Sequence, residues 1–301
     1  MSDSQANIQA VRRTLLSWLQ DRLNDEAMKW IKSTSEQLLE GAESWVFYSS
    51  FSAVPRHTGK EELSLTEKEI AKAEDLRTGW QPSYWSIDEL GRTLLILSIA
   101  GEDKDVFFEK LENTFISSDI GEGIALYQSL PLLPHPKDLT ERAAEGLRTN
   151  ITSIFNAVAH HNPYPADYLD DDAWNQMVLK ALFEQTPLYP IYNIDERANQ
   201  KLADMLIDYA HERWAADRSV SPELWRSVGP FANEETVEKD LKKVLNNPNE
   251  LNQQAALLAL YASPASNAEK LVEKHASQLE QMKRDNVDWD SIGKQFEQSF
   301  Q

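Results

Sequence analysis

The sequence predicts an all-α protein, arranged as stacked helical hairpins in a HEAT-like alpha-alpha superhelix. Three observations carry that reading. Apolar residues recur every three to four positions along most of the chain, the period of one helix face. Cap residues and tight Pro or Gly breaks punctuate those runs, and only fragments suggest strand. An apolar helix, a break and a charged helix then recur at the spacing of roughly 30–45 residues expected of hairpin arrays, in pattern rather than in residue identity.

Residues 6–23 read as the first helix, with Ile8, Val11, Leu15, Leu19 and Leu23 on one stripe packed against a second helix over 26–39. The aromatic stretch 43–54 suits a helix followed by a loop, since no partner strand is evident; whether its 45–51 segment packs inward or forms a contact surface stays open. Residues 55–60 carry Pro, His, Gly and charge, and read as an exposed loop. Thr66 with Glu69, and Ser86 with Glu89, have capping-box spacing, with a break over 79–86 between them. Helices follow over 90–100, 103–115 and 120–133, the last stopped by Pro134, His135 and Pro136, after which Lys137 and Asp138 open another. Toward the C-terminus, 255–262 stops at Ser263-Pro264 and 268–282 follows. A single helical-repeat domain over 1–301 is expected, with a candidate internal boundary near 134–136.

Composition excludes several classes. The 301 residues, 41% hydrophobic with nine Trp, can bury a real core. Cysteine is absent, which removes disulfides, thiol nucleophiles and thiolate metal sites. A formal charge of −19 without a Lys/Arg stripe argues against nucleic acid and anionic lipid. The acidity reads first as solubility, and second as affinity for a basic partner. The longest apolar run, 94–100, falls far short of the roughly 20 residues that span a bilayer. The opening MSDSQANIQAVRRTLL lacks the pattern of a secretory signal, so a cytoplasmic location is expected.

The stretch 156–231 is the most particular about its residues. His161 lies at the edge of the buried face of a helix over 151–161 and enters the turn His161-Asn162-Pro163-Tyr164-Pro165. It reads as a cleft-lining donor or as a charge at a helix C-terminus. Asp170, Asp171 and Asp172 would suit Mg²⁺ on a diphosphate, but no second acidic cluster faces them, and capping of the next helix explains them. That helix, 173–185, is apolar nearly all round, so Trp174 is interior and Asn175 needs partners, to fix the fold or to meet a ligand. On a helix over 201–216, Leu202, Leu206 and Tyr209 set the apolar face and Arg213 falls in its middle. A guanidinium there needs either a structural carboxylate or the anionic group of a ligand. Asp208 and His211 have the spacing of a metal-ligand pair without the second motif that such a site requires. No phosphate loop, nucleophile elbow or catalytic triad is visible, and no metal or other cofactor is expected.

The run from His161 to Pro165, the following Ala173-Trp174-Asn175-Gln176-Met177-Val178-Leu179-Lys180-Ala181-Leu182-Phe183, the stretch Asp208-Tyr209-Ala210-His211-Glu212-Arg213-Trp214-Ala215-Ala216, and Pro222-Glu223-Leu224-Trp225-Arg226 together resemble the EboA-domain family. This signature covers the central quarter of the chain; the outer parts look generic. The resemblance implies a place in a bacterial gene set for the biosynthesis and movement of secondary metabolites, including pigments exported across the inner membrane. Other members of that set look like a prenyltransferase and TIM-barrel or hydrolase-like enzymes. It implies a metabolite or proteins of the same gene cluster as partners, and peripheral association with a membrane enzyme. It carries over no catalytic residues.

His161, Tyr164, Trp174, Asn175, Arg213, Trp214 and Trp225 are therefore the candidate binding residues, expected to meet in one place. Aromatic walls with a few polar anchors suit a planar or prenylated small molecule, or a protein hot spot. A non-catalytic binding or adaptor protein is the favoured function. The competing expectation is an enzyme with His161 as acid/base and Arg213 holding an anion.

Overall fold

The computed structural model describes residues 7–299; the expected helix start at Ala6 lies outside them. Among the described residues the regular elements are helical, apart from one isolated antiparallel bridge between Glu62 and Ser86. They fall into two compact units that divide between Tyr168 and Leu169. The proline turn at 134–136 lies inside the first.

The first unit contains α1 (Ile8–Gln20), α2 (Asp25–Leu39), α3 (Ser44–Thr58), α4 (Glu67–Leu76), α5 (Ile87–Ile99), α6 (Lys104–Ser117), α7 (Ile120–Ser129), α8 (Thr140–Arg148), α9 (Thr152–Ala159) and α10 (Tyr164–Tyr168). Helix α5 is its axis, packed by α1, α2, α3 and α7. Its sequence is apolar nearly all round, which only an interior position satisfies. The polar groups it carries inward are paired: Arg92 with Asp88, and Ser98 with Ser35 at 2.8 Å. Both expected capping boxes form, at the starts of α4 and α5.

Helix α3 departs from expectation. It runs through Pro55 to Thr58, where an exposed loop over 55–60 was expected. Proline cannot donate to the carbonyl four residues back, that of Phe51. Arg92 Nε supplies a donor to that oxygen at 3.4 Å, and burial of Val54 and Thr58 holds the last turn in place. The 45–51 segment divides by face: Phe47 and Phe51 are buried, while Trp45 is 69% exposed. Helix α7 also ends early, at Ser129; Leu130–Leu132 tighten into a 3₁₀ turn around Pro131, which lacks the donor for another α turn.

The second unit contains α11 (Asp171–Phe183), α12 (Gln200–Ala215), α13 (Leu224–Val228), α14 (Glu234–Thr236), α15 (Lys242–Leu245), α16 (Glu250–Ala262), α17 (Ser266–Lys274), α18 (Ala276–Arg284) and α19 (Trp289–Gln298). A π-helical turn, Val237–Leu241, joins α14 to α15. Helix α16 packs against α13, α15, α17 and α19. Gly229 lets the turn after α13 approach it closely; a Cβ there would lie 2.8 Å from Ala259 Cα. The helix expected over 268–282 is broken at His275, whose Nδ1 donates to the Leu271 carbonyl at 2.9 Å and closes α17.

Candidate functional site

Five of the seven candidate residues belong to the second unit, and three of them, Arg213, Trp214 and Trp225, gather where α12 ends. The chain turns back over 217–221 after that helix. The Arg213 carbonyl accepts from Ala216 N at 3.1 Å and Arg218 N at 2.9 Å, and its Nε donates to Ser219 O at 3.0 Å. Arg213 is half-buried, and among the described residues no carboxylate pairs with it. It lines a cavity of about 270 Å³ with Leu182, Pro187, Tyr209, Phe296 and Glu223.

Glu223 is 1% exposed. Its Oε2 accepts from Leu188 N at 3.0 Å and its Oε1 from Tyr189 N at 2.6 Å. Burial pushes its carboxyl up to about 7, against the two backbone donors and the nearby Arg226 guanidinium. Arg226 itself grips Asp195 with two nitrogens, at 2.6 and 2.7 Å, and Asp290 with a third at 2.9 Å.

On the other side of the 217–221 turn, Trp214 stacks on Trp225 with ring centroids 5.7 Å apart. Lys243 Nζ lies 3.9 Å from the Trp214 ring centre. These three line a second cavity of about 370 Å³, which shares Ser219 with the first. Trp225 is fully buried, and its Nε1 has no acceptor among the described residues.

Trp174 and Asn175 serve the interior of this unit. Trp174 is fully buried, with the Arg197 guanidinium 4.8 Å from its ring centre. Asn175 and Asn199 exchange two amide hydrogen bonds, at 3.1 and 2.8 Å. Asn199 also caps α12 by accepting from Leu202 N at 2.9 Å, so the pair ties α11 to the start of α12. The aspartates before them act as expected of a cap: Asp170 accepts from Ala173 N, Asp171 meets Arg197 and Asp172 meets Lys201. His211 is answered by Asp240 at 2.7 Å, while Asp208, one turn back, is exposed.

His161 and Tyr164 belong to the first unit. Helix α9 ends at Ala159, two residues before the expected end, because Asn162 turns back to donate to the carbonyls of Ala157 and Tyr127. His161 takes a left-handed backbone, φ 54°. Its ring stacks on Tyr84 at 3.7 Å, with Nδ1 3.0 Å from Gln81 Oε1. Tyr164 is buried, its hydroxyl donating to the Pro136 carbonyl; burial raises its phenol above the usual range. His161 lines a separate cavity in this unit.

Sequence reasoning passed over Glu223, Phe296 and Lys243. Residues 221–225 read as a cap followed by Pro at the first helical position, whereas α13 begins at Leu224, and nothing local marks the loop amides that reach Glu223. Tyr209 was legible, four residues before Arg213 and on the same helix face.

A family model described as "Metabolite traffic protein EboA" matches residues 11–229. The chain belongs to the EboA family. The match reaches well beyond the central signature: it takes in the first unit from Val11 and the second through Gly229, so EboA membership covers Arg213, Trp214 and Trp225 but not Phe296. No curated protein and no solved structure matches the chain. Among the described residues, no helix is long and apolar enough to cross a membrane.

Proposed function

We propose that this EboA-family chain is a non-catalytic binding or adaptor component of bacterial secondary-metabolite traffic. In this reading it works in the cytoplasm as a scaffold of stacked, HEAT-like hairpins, and presents its cargo to proteins of the same gene set. The second unit holds the cargo: a small, partly apolar molecule whose anionic group meets Arg213. One observation carries the reading. A half-buried guanidinium, engaged through Nε by a backbone carbonyl but by no carboxylate among the described residues, stands in the wall of a cavity where Leu182, Pro187, Tyr209 and Phe296 supply apolar surface beside Glu223 and Glu297. Such a charge gains most from an anion that arrives with an apolar body.

The test is calorimetric titration with benzoate and with the neutral benzyl alcohol. Benzoate is expected to bind in the millimolar range and to weaken roughly tenfold in Arg213→Met, with partial retention in Arg213→Lys. Equal benzoate affinity in all three proteins would overturn the assignment.

A second reading, catalysis, has one observation in its favour. Glu223 lines the same cavity and titrates near 7, where a general base works best. Against it, both carboxylate oxygens already hold backbone amides.

A further inference from the structure

The first unit holds a cavity with a different chemistry. It measures about 270 Å³ and is lined by Tyr84, Gln128, Asn156, His160, His161 and Asn162 among others, with no Asp, Glu, Lys or Arg in its wall. The stacked rings of Tyr84 and His161 form one side, and Tyr84 remains 66% exposed. Asn162 is fully engaged: its nitrogen donates to two carbonyls and its oxygen accepts from Tyr164 N. Gln128 and Asn156 are not. Gln128 Oε1 and Asn156 Oδ1 are buried and have no donor among the described residues. Native interiors rarely leave amide oxygens in that condition.

We propose that this cavity is a second binding site, for a small uncharged aromatic molecule carrying O–H or N–H donors. Gln128 and Asn156, each only half-buried as a residue, turn their buried amide oxygens outward to accept from its donors, and its ring packs beside Tyr84 and His161. With no Lys or Arg in the wall to meet them, the anions that suit Arg213 are disfavoured, because a buried ion without a strong partner is costly. The volume sits near the lower end of the roughly 300–1,000 Å³ usual for small-molecule pockets, which limits the guest to a single ring or a compact fused pair. The site is independent of the Arg213 cavity, so either assignment stands or falls alone.

The experiment is ligand-observed NMR on the full chain with resorcinol, which has two phenolic donors, and 1,3-dimethoxybenzene, which has none. Resorcinol is expected to bind in the millimolar range, and dimethoxybenzene about tenfold more weakly. The Gln128→Leu/Asn156→Leu double variant should abolish that difference. Tyr84→Ala, at an exposed position that does not endanger folding, should weaken resorcinol roughly tenfold. Arg213→Met should leave it unchanged. Equal affinity for the two probes, resorcinol binding unaffected by Tyr84→Ala, or a crystal structure soaked in resorcinol with only water at the two amides would each overturn the proposal.

Discussion

Arg92 Nε lies 3.4 Å from the carbonyl oxygen of Phe51, the acceptor that Pro55 leaves without its helical donor. The guanidinium also pairs with Asp88 and lies 5.6 Å from the Phe51 ring centre. One buried side chain thus repairs a helix on another element and neutralises a carboxylate on its own.

That dual role is separable by a double-mutant cycle. Arg92→Met should cost about 3–5 kcal/mol, chiefly because the buried Asp88 loses its counter-charge and keeps only the Ser86 hydroxyl. Pro55→Ala restores an N–H for Phe51 O, so the Arg92→Met penalty in that background should shrink by about 1 kcal/mol. Urea denaturation of the four proteins measures the coupling. Strict additivity would mean that Arg92 acts through Asp88 alone.

Glu223 gives the second unit a pH dependence of definite sign. Its carboxyl moves from the ordinary 4.5 to about 7 on folding, so the folded state holds the proton more tightly. Its contribution is therefore full below the ordinary value and is lost as pH rises through 7, by about 3 kcal/mol in total. Arg226 and Asp290 act on it through their charges, Tyr189 donates to it through its backbone, and Arg213 and Glu297 share its cavity. Unfolding free energies measured between pH 5 and 8 should fall more steeply in the native protein than in Glu223→Gln. Parallel curves would remove Glu223 from the account.

Asn175 should behave as a structural residue. Replacement by Leu leaves the Asn199 amide without its reciprocal partner, at a cost of about 1–3 kcal/mol in chemical denaturation. Benzoate affinity should not change. A variant of native stability with weakened benzoate binding would return Asn175 to the binding surface.

What the sequence made legible follows from how local each signal is. The caps at Thr66, Ser86 and Asp170 lie within a few residues of the amides they serve, and all three were readable. The fate of Pro55 was not, because its remedy comes from an arginine on another helix, 41 positions from the carbonyl it serves. His275 likewise looked like one more residue in an amphipathic run until its ring turned back on Leu271. At the candidate site, Arg213 and Tyr209 were visible as near neighbours on one helix face. The division of the seven candidates between core and cavity was not, because an apolar helical stripe looks the same whether it packs on protein or on a guest. Glu223 was the hardest to anticipate, since its environment is assembled from the amides of a loop more than 30 residues upstream.

Arg213 both offers the guanidinium and fastens the turn that aims it, through its own carbonyl to Arg218 and its Nε to Ser219. The direction of that charge is therefore inherited from five residues of main chain rather than from side-chain packing. An insertion or deletion between Ala215 and Ser219 would swing the cation away from its cavity without touching a single wall residue. Length in that short span is under tighter constraint than its composition.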